Sequence, residues 1–303
     1  MSLLVNMMQE RNNNNNNNRI YKPVPLLSGI EEIRQDFEER LAQGDIKYGL
    51  EILDDAVQTV RKGSMTFIIA RPNTGKSLLA LRIGVNFAKQ DKRVLLCSCE
   101  MGAGLVMERE IKQLAGVSMY ELKEMYEKHR DVANNIMDSF IEDKRYNYLT
   151  NIDICETGGA TVEDIINMLE CDNGYDAVIV DYIQRVKGYG TEYENISHTA
   201  RELQTYARRT GIYLICCSQA SRQSDDDGKY GKVIDGSRIR GKGSGSIEED
   251  ADVGITLMEL QEGMDRNILI TLFKNRYGNL KNISYKYRLD DRLNLILLSK
   301  DGG

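Results

Sequence analysis

A glycine, a lysine and a hydroxyl residue lie together in the stretch Ala70–Ser77, which reads ARPNTGKS. The stretch follows the apolar run MTFIIA and precedes SLLALRIGVNFAKQ, which has the composition of a helix. A loop between a strand and a helix can surround a phosphate with backbone N–H groups. Lys76 could then reach the β- and γ-phosphates of a nucleotide, and the Ser77 hydroxyl could ligate Mg²⁺. The predicted nucleotide-binding residues are Arg71, Pro72, Asn73, Thr74, Gly75, Lys76 and Ser77.

Polar residues also end three other apolar runs. Asp181 ends AVIVD, Glu100 follows RVLLCSC, and Gln219 follows IYLICCS. The carboxyl ends of parallel strands face a ligand crevice, which predicts Asp181 as a second Mg²⁺ residue that acts through water. Glu100 could activate an attacking water there, and Gln219 could hydrogen-bond a γ-phosphate. For Glu100 and Gln219 the spacing alone is equally consistent with solvated strand ends.

Basic residues occur in two glycine-containing stretches. One is RVKGYG, shortly after Asp181, and the other is the long stretch 222–246, rich in Gly, Ser and charge. Basic, glycine-containing backbone can follow the phosphates of a single nucleic-acid strand. A pair of solvated loops is the alternative. The candidate DNA-binding residues are Arg185, Lys187, Arg238, Arg240 and Lys242.

Two further cations, Lys274 and Arg276, flank Asn275 at the end of the run ILITLF. Strand alternation places both side chains on one face. Two cations side by side repel each other unless they meet an anion. That anion could be a phosphate bound by a neighbouring subunit, or a surface carboxylate.

The elements that carry these residues alternate between strands and helices from Lys47 onward. Near-continuous apolar strands separated by helices predict an α/β fold with a mostly parallel sheet covered on both faces. The last three runs, ILITLFK, SYKYRL and NLILLS, resemble hairpin strands and predict an antiparallel C-terminal extension.

The N-terminal part has a different character. Residues 1–27 include seven consecutive asparagines, Asn12–Asn18, and are predicted to be flexible. Residues 28–44 predict a helix with an apolar stripe; Ser28 and Glu31 would form a capping box at its start. Spacing alone leaves open whether the stripe docks on its own domain or on another subunit. The predicted segments are therefore 1–27 flexible, 28–46 linker helix, and 47–303 the main domain.

Composition limits the function classes. The chain has 303 residues and a net charge of −6, so bulk electrostatics do not draw it to nucleic acid and any contact must be local. No apolar run is long enough to span a bilayer, and no signal peptide is evident. The six cysteines contain no Cys-x-x-Cys pair, and four lie in apolar strand-like runs. They are read as small buried residues of a cytoplasmic protein rather than as disulfides or zinc ligands.

Taken in order, these stretches resemble the RecA-like motor domain of replicative hexameric DNA helicases of the DnaB type, including phage versions. The resemblance covers roughly Tyr48 to the C-terminus, and alanine in place of the first glycine of the loop is typical of that family. The matching stretches are YGLEILDDAV, GSMTFIIARPNTGKS, CSCEM, AVIVDYIQ, ICCSQASR, GSGSIEEDADVG and FKNRYG.

The resemblance implies a RecA-like P-loop NTPase that uses ATP and Mg²⁺, assembles as a homo-hexamer and moves on single-stranded DNA. Glu100 would be the catalytic carboxylate, Gln219 the γ-phosphate sensor, and Lys274 and Arg276 would act on the adjacent subunit's ATP. Residues 185–197 and 222–246 would be pore loops, and the helix at 28–44 would dock on the next subunit.

The family's N-terminal helical domain, which commonly engages primase, has no counterpart here. We therefore expect either a shorter phage-type protein or one whose N-terminal domain was removed, with primase or a helicase loader as a further partner. Two rival functions use the same core: a RecA-, RadA- or KaiC-like ATPase, and an ATP-gated loader that only oligomerises. SIEEDAD and KNR argue against the first rival.

Overall fold

A single mixed sheet carries the candidate residues. The computed structural model describes residues 25–172, 174–188, 190–220, 249–260 and 265–301, and among these the sheet has nine strands in the order β3-β2-β4-β5-β1-β6-β7-β8-β9. The strands are β1 Met65–Ala70, β2 Val94–Ser98, β3 Ile152–Glu156, β4 Ala177–Asp181, β5 Tyr213–Gln219, β6 Val253–Leu260, β7 Arg266–Asn275, β8 Ile283–Leu289 and β9 Leu295–Asp301. Strands β1 to β6 are parallel and β7 to β9 are antiparallel, which confirms the predicted fold class.

Helices connect the parallel strands. The longer ones among the described residues are α1 Ser28–Gln43, α2 Glu51–Val57, α3 Lys76–Ala88, α4 Ala103–Ala115, α5 Met119–Lys128, α6 Arg130–Glu142, α7 Val162–Cys171 and α8 Glu192–Thr210. Short 3₁₀ turns cover Lys144–Asn151 and Ile183–Arg185.

The central strand β1 is buried on both faces. Phe67 and Ile69 pack into an apolar cluster with residues of α7 and α8, and Ile68 packs into a second cluster with residues of α2 and α3. Successive side chains of a strand point to opposite faces, so a continuous apolar run fits only a sheet covered on both sides. This double burial fixes the strand ends that carry the candidate residues.

The segment between β2 and β3 forms a small helical unit of α4, α5 and α6. Its own apolar cluster contains Ile111, Leu122, Ala133 and Phe140. The sequence predicted only a helical stretch here, because short amphipathic helices that pack on each other give no signal of their arrangement.

The chain divides into two units, Met1–Gly44 and Asp45–Gly303. In the first unit the predicted helix is present as α1, but the predicted capping box is wrong. Leu27 is the N-cap and has no side-chain cap, while the Ser28 hydroxyl lies inside the helix and donates to the Pro25 carbonyl. The apolar stripe is exposed, with Phe37 54% and Leu41 87% accessible.

A buried ion pair joins the helix after the candidate loop to the helical unit. The guanidinium of Arg82 on α3 donates to both carboxylate oxygens of Glu110 on α4, and both side chains are largely buried. Burial raises the pKa of Glu110, and the charge of Arg82 opposes that shift. The pair therefore ties α4 to α3.

We expect Glu110→Gln to lower the free energy of unfolding by about 3 kcal/mol, because the Arg82 charge then stays buried without its carboxylate. Glu124→Gln is the matched control: it breaks the exposed pair with Lys128 and should cost at most about 0.5 kcal/mol. Urea unfolding measures both values. Equal midpoints for the two variants would contradict this role for Glu110.

Candidate functional site

The predicted phosphate loop lies between β1 and α3, as its sequence requires. Helix α3 begins at Lys76, directly after Gly75, whose φ of 102° lies in the region that favours glycine. Asn73 also has a positive φ, of 64°. Arg71, Pro72 and Asn73 are exposed, whereas Thr74 is buried. The loop therefore presents its backbone and the N-terminus of α3 to solvent, an arrangement that binds anions.

Two predicted residues of opposite charge, Lys76 and Asp181, form an ion pair at this loop. Lys76 Nζ donates to Asp181 Oδ1 at 2.6 Å and lies 4.5 Å from the ring centroid of Tyr182. Burial by itself would lower the pKa of Lys76, but acidic neighbours that include Asp181 outweigh it and raise the pKa. Lys76 therefore remains protonated at neutral pH, as a phosphate ligand must.

The other predicted strand-end residues lie at the same edge of the sheet. Gln219 is the register partner of Ala70, and Asp181 is the register partner of Ser98, two residues before Glu100. Glu100 and Gln219 line one cavity of about 700 Å³ together with the phosphate loop. The sequence prediction that these residues converge is thus matched by the geometry, while their chemical roles stay predictions.

The donor set fits a magnesium ion. Ser77 lines the cavity beside Lys76, and Asp181 contacts Lys76 from the end of β4. A hydroxyl and a carboxylate are the oxygen ligands that Mg²⁺ prefers, and it usually keeps several waters. Ser77 and Asp181 would hold the ion, which would neutralise charge on the phosphates.

Arg185, predicted to contact DNA, contacts two residues that line this cavity, Tyr182 and Glu100. Its Nε donates to the Tyr182 hydroxyl at 2.9 Å, and its Nη2 lies 3.4 Å from Glu100 Oε1. Both charged side chains are at least half exposed. Arg185 thus pairs with the candidate catalytic carboxylate, which the spacing of the sequence did not indicate.

Gln184 is a residue that the sequence reasoning missed. Its side-chain amide donates to the Ser218 hydroxyl and the Gln219 carbonyl, and its Oε1 accepts from the Gln219 N–H. Gln184 therefore braces the end of β5 from the turn after Asp181. Its place in the stretch AVIVDYIQ was the available signal.

Arg266, at the start of β7, was missed as well. It pairs with Glu259 and donates to the Asn73 carbonyl at the tip of the phosphate loop. The same part of the cavity includes the apolar side chains of Leu289 and Leu293. The antiparallel strands therefore complete the wall of the cavity, which no local pattern near Asn73 could indicate.

Lys274 and Arg276 lie at the opposite edge of the sheet. β7 is antiparallel to β6, and Lys274 pairs with Gly254 near the beginning of β6. The beginning of β6 aligns with the beginning of β1, whose far end leads into the phosphate loop. From Met65 to Ala70, β1 makes five residue-to-residue steps of about 3.3 Å each, so these edges are roughly 17 Å apart.

Of the two anions that the sequence left open, Arg276 contacts a carboxylate. Its Nη1 donates to Asp252 Oδ1 at 2.9 Å, and its Nη2 donates to the Glu249 carbonyl at 2.6 Å. Lys274 Nζ donates to that same carbonyl at 3.1 Å. Asp252 and Glu249 belong to the SIEEDAD stretch, so this stretch adjoins the KNR cations.

Of the remaining candidate DNA-binding residues, Lys187 is described. Its N–H donates to the Ala160 carbonyl, and it bridges to Thr161 at the start of α7. It lines a second cavity of about 700 Å³ with residues near the starts of α7 and α8. Arg238, Arg240 and Lys242 lie outside the described residues.

All six cysteines have free thiols. Cys97, Cys216 and Cys217 are buried, as predicted, whereas Cys99 and Cys155 are half-buried and Cys171 is exposed. Burial raises the pKa of Cys217 well above its usual range, so this thiol, which interacts with Lys76 and Asp181, stays neutral. Within the described ranges, no helix is long and apolar enough to cross a membrane.

Comparison with known proteins places this chain in a family. Residues 45–291 match the model of the DnaB-like helicase C-terminal domain. That match covers most of the chain, so the chain belongs to the DnaB-like helicase C-terminal domain family.

Its relatives carry helicase names. A probable plasmid replicative DNA helicase of Chlamydia trachomatis is 31% identical over 242 residues, which cover 77% of this chain and 50% of the relative. The replicative DNA helicase DnaC of Bacillus subtilis is 28% identical over 257 residues, which cover 80% of this chain and 54% of the relative. The chain thus spans about half the length of the curated relatives it matches.

Solved structures share the fold. One of them, described as an ATPase domain, superposes with a TM-score of 0.75 at 22% identity, and the match covers 92% of this chain and 100% of the other. The structure of a DnaB-like replicative helicase and its interactions with primase gives a TM-score of 0.70 at 22% identity, covering 97% of this chain and 71% of its own. Both likenesses confirm the RecA-like ATPase fold.

Proposed function

We propose that this chain is the motor of an ATP-dependent replicative DNA helicase, which hydrolyses ATP between subunits, moves on single-stranded DNA and unwinds duplex. One observation carries the proposal: the phosphate loop and its partners lie at one edge of the sheet, and the KNR cations lie at the other. A single subunit cannot bring both groups to one nucleotide. Two copies arranged head to tail can.

Within one subunit, the residues at the phosphate-loop edge have different roles. Lys76 leaves Asp181 and binds the β- and γ-phosphates. Ser77 and Asp181 would hold a magnesium ion, which would supply positive charge to neutralise the phosphates. Glu100, released from Arg185, accepts a proton from the attacking water. Gln219 donates its amide to the γ-phosphate, and Gln184 holds the backbone of Gln219 in place.

The second subunit completes the site with Lys274 and Arg276. Cations that meet the transferred phosphoryl group in trans stabilise the charge that develops in the transition state. The Arg276 side chain is exposed enough to reach a neighbour, since 42% of it is accessible. Head-to-tail contacts form a closed ring when the rotation between neighbouring subunits completes a full turn. The expected ring is a homo-hexamer.

We expect Arg276→Ala to lower kcat for ATP hydrolysis about a hundredfold, because charge developing on the phosphates loses its partner. The KM for ATP should change little, since the phosphate loop of the other subunit is intact. Steady-state hydrolysis with saturating oligo-dT measures both constants.

The trans arrangement also predicts complementation. An Arg276→Ala subunit keeps its own phosphate loop, and a Lys76→Ala subunit keeps its own cations. Mixed assemblies of the two should therefore contain complete sites and recover hydrolysis that neither variant shows alone. Activity no greater than the sum of the separate variants would contradict action in trans.

DNA contact is assigned to local basic residues, because the overall charge is negative. Arg185, which pairs with Glu100, and Lys187, which lines the second cavity, are candidates. Arg238, Arg240 and Lys242 are candidates in the stretch 222–246. Binding of DNA by the stretch 222–246 would change when Gln219 loses its contact with the γ-phosphate, since that stretch follows β5. Primase or a helicase loader is the expected further partner; one structural relative is described with primase.

Stimulation of ATP hydrolysis by DNA tests the proposal. We expect oligo-dT of about 40 nucleotides at low salt to raise kcat at least about tenfold, because DNA binding by charged loops is strong there. Duplex DNA of the same length is the control and should stimulate less. Hydrolysis that is indifferent to single-stranded DNA would contradict a motor.

A further inference from the structure

One buried carboxylate holds the trans-acting cation in place. We propose that Asp252 is a positioning residue for Arg276: it fixes the guanidinium in the orientation that meets the neighbouring subunit's ATP. The inference rests on the proposed function, since it deepens the role of Arg276 given there. It assigns a task to the second aspartate of the SIEEDAD stretch, which the proposed mechanism does not use.

Asp252 holds Arg276 at two points. Its carboxylate accepts from the Arg276 side chain at 2.9 Å, and its backbone carbonyl accepts from the Arg276 N–H at 2.9 Å. The Glu249 carbonyl accepts from Nη2 of the same guanidinium. The planar guanidinium is therefore bound on two of its three nitrogens, which fixes both its position and its plane.

Asp252 is itself fixed to the centre of the sheet. Its Oδ2 accepts from the Met65 N–H at 3.0 Å, and its own N–H donates to the Met65 carbonyl at 2.9 Å. Only 4% of the residue is accessible. Met65 begins β1, the strand that ends at the phosphate loop. Through Asp252, the position of Arg276 is thus fixed relative to β1, the most buried strand of the domain.

The exposure of Arg276 explains why such a brace would matter. An exposed arginine samples many rotamers, and ordering it costs free energy when the transition state forms. A side chain held beforehand avoids that cost, and misplacement by about 1 Å can cost a hundredfold in rate. Asp252 therefore affects kcat through Arg276 without touching ATP.

A second cation on the same carboxylate supplies the control. Arg208 of α8 lies 3.7 Å from Asp252 Oδ1, and its side chain is 55% exposed. Removing Arg208 takes away a positive charge near Asp252 but leaves the hydrogen bonds between Asp252 and Arg276 intact. Arg208→Ala therefore separates a general electrostatic effect at Asp252 from the positioning of Arg276.

The experiment is a double-mutant cycle on DNA-stimulated hydrolysis by the full chain. We expect Asp252→Asn to lower kcat roughly 10- to 100-fold with the KM for ATP nearly unchanged, and Arg208→Ala to stay within about twofold of the parent. In the Arg276→Ala background, Asp252→Asn should have no further effect on kcat. An equal further loss there would overturn the proposal, because Asp252 would then act independently of Arg276.

A second variant covers the case in which Asp252→Asn does not fold, which circular dichroism would reveal. Arg276→Lys keeps the charge beside Asp252, but one ammonium group cannot reproduce the fixed plane of a guanidinium. We expect it to lose nearly as much kcat as Arg276→Ala, whereas parental kcat would overturn the positioning role. Failure of the proposed function looks different: Arg276→Ala itself would then leave kcat unchanged.

Discussion

Lys76→Ala is expected to lower the kcat for ATP hydrolysis roughly a thousandfold. Lys76 is the cation at the N-terminus of α3 in the cavity, its side chain is 11% exposed, and its pKa is raised. A buried, protonated amine beside the phosphates has a strong effect because water cannot screen it. Steady-state hydrolysis with oligo-dT measures the loss.

The same substitution leaves Asp181 without its cation, so activity must be separated from folding. The Asp181 side chain is only 6% exposed, and an unpaired buried carboxylate is destabilising. Lys76→Ala combined with Asp181→Asn should recover thermal stability without recovering hydrolysis. Lys89→Ala, at the far end of α3, is the matched control and should hydrolyse ATP normally. Substantial hydrolysis by Lys76→Ala would contradict the assigned site.

The second large effect is expected from Glu100→Gln. Removing the carboxylate that we propose accepts the proton from water should lower kcat about a hundredfold to a thousandfold, while nucleotide binding survives. Glu100 lines the cavity and its partner Arg185 is exposed, so the substitution leaves that cation in solvent rather than buried. Binding of a fluorescent ATP analogue, measured beside hydrolysis, separates the two steps.

This variant also distinguishes a motor from an ATP-gated loader. A loader needs only nucleotide binding and would keep its function with Glu100→Gln, whereas a motor would bind DNA and stall. Glu142→Gln, an exposed position at the end of α6, is the control. Parental hydrolysis by Glu100→Gln would remove this residue from the catalytic role.

The parts of the site that the sequence predicted are those encoded locally. The ARPNTGKS loop lies between a strand and a helix, and parallel strands bring Asp181, Glu100 and Gln219 to one edge. Each of these inferences needs only strand direction and the residue that ends the strand. That is why the fold class and the convergence of these residues could be predicted from the sequence alone.

The parts that could not be predicted depend on register between distant segments. Arg266 reaches the carbonyl of Asn73 across 193 residues, and Arg276 reaches Asp252 through the pairing of β6 with β7. No spacing within either segment encodes such a contact. The capping of α1 failed for a different reason: Ser28 satisfies its hydroxyl locally at Pro25, which competes with the cap geometry.

Strand displacement on a forked duplex tests the central claim most directly, because it requires ATP hydrolysis, movement on single-stranded DNA and unwinding together. With ATP and Mg²⁺, we predict release of the labelled strand by the parent chain. No release is expected from Lys76→Ala, and mixtures of Lys76→Ala with Arg276→Ala should recover part of it. Hydrolysis that DNA stimulates but that releases no strand, at any protein concentration that supports assembly, would contradict the helicase account.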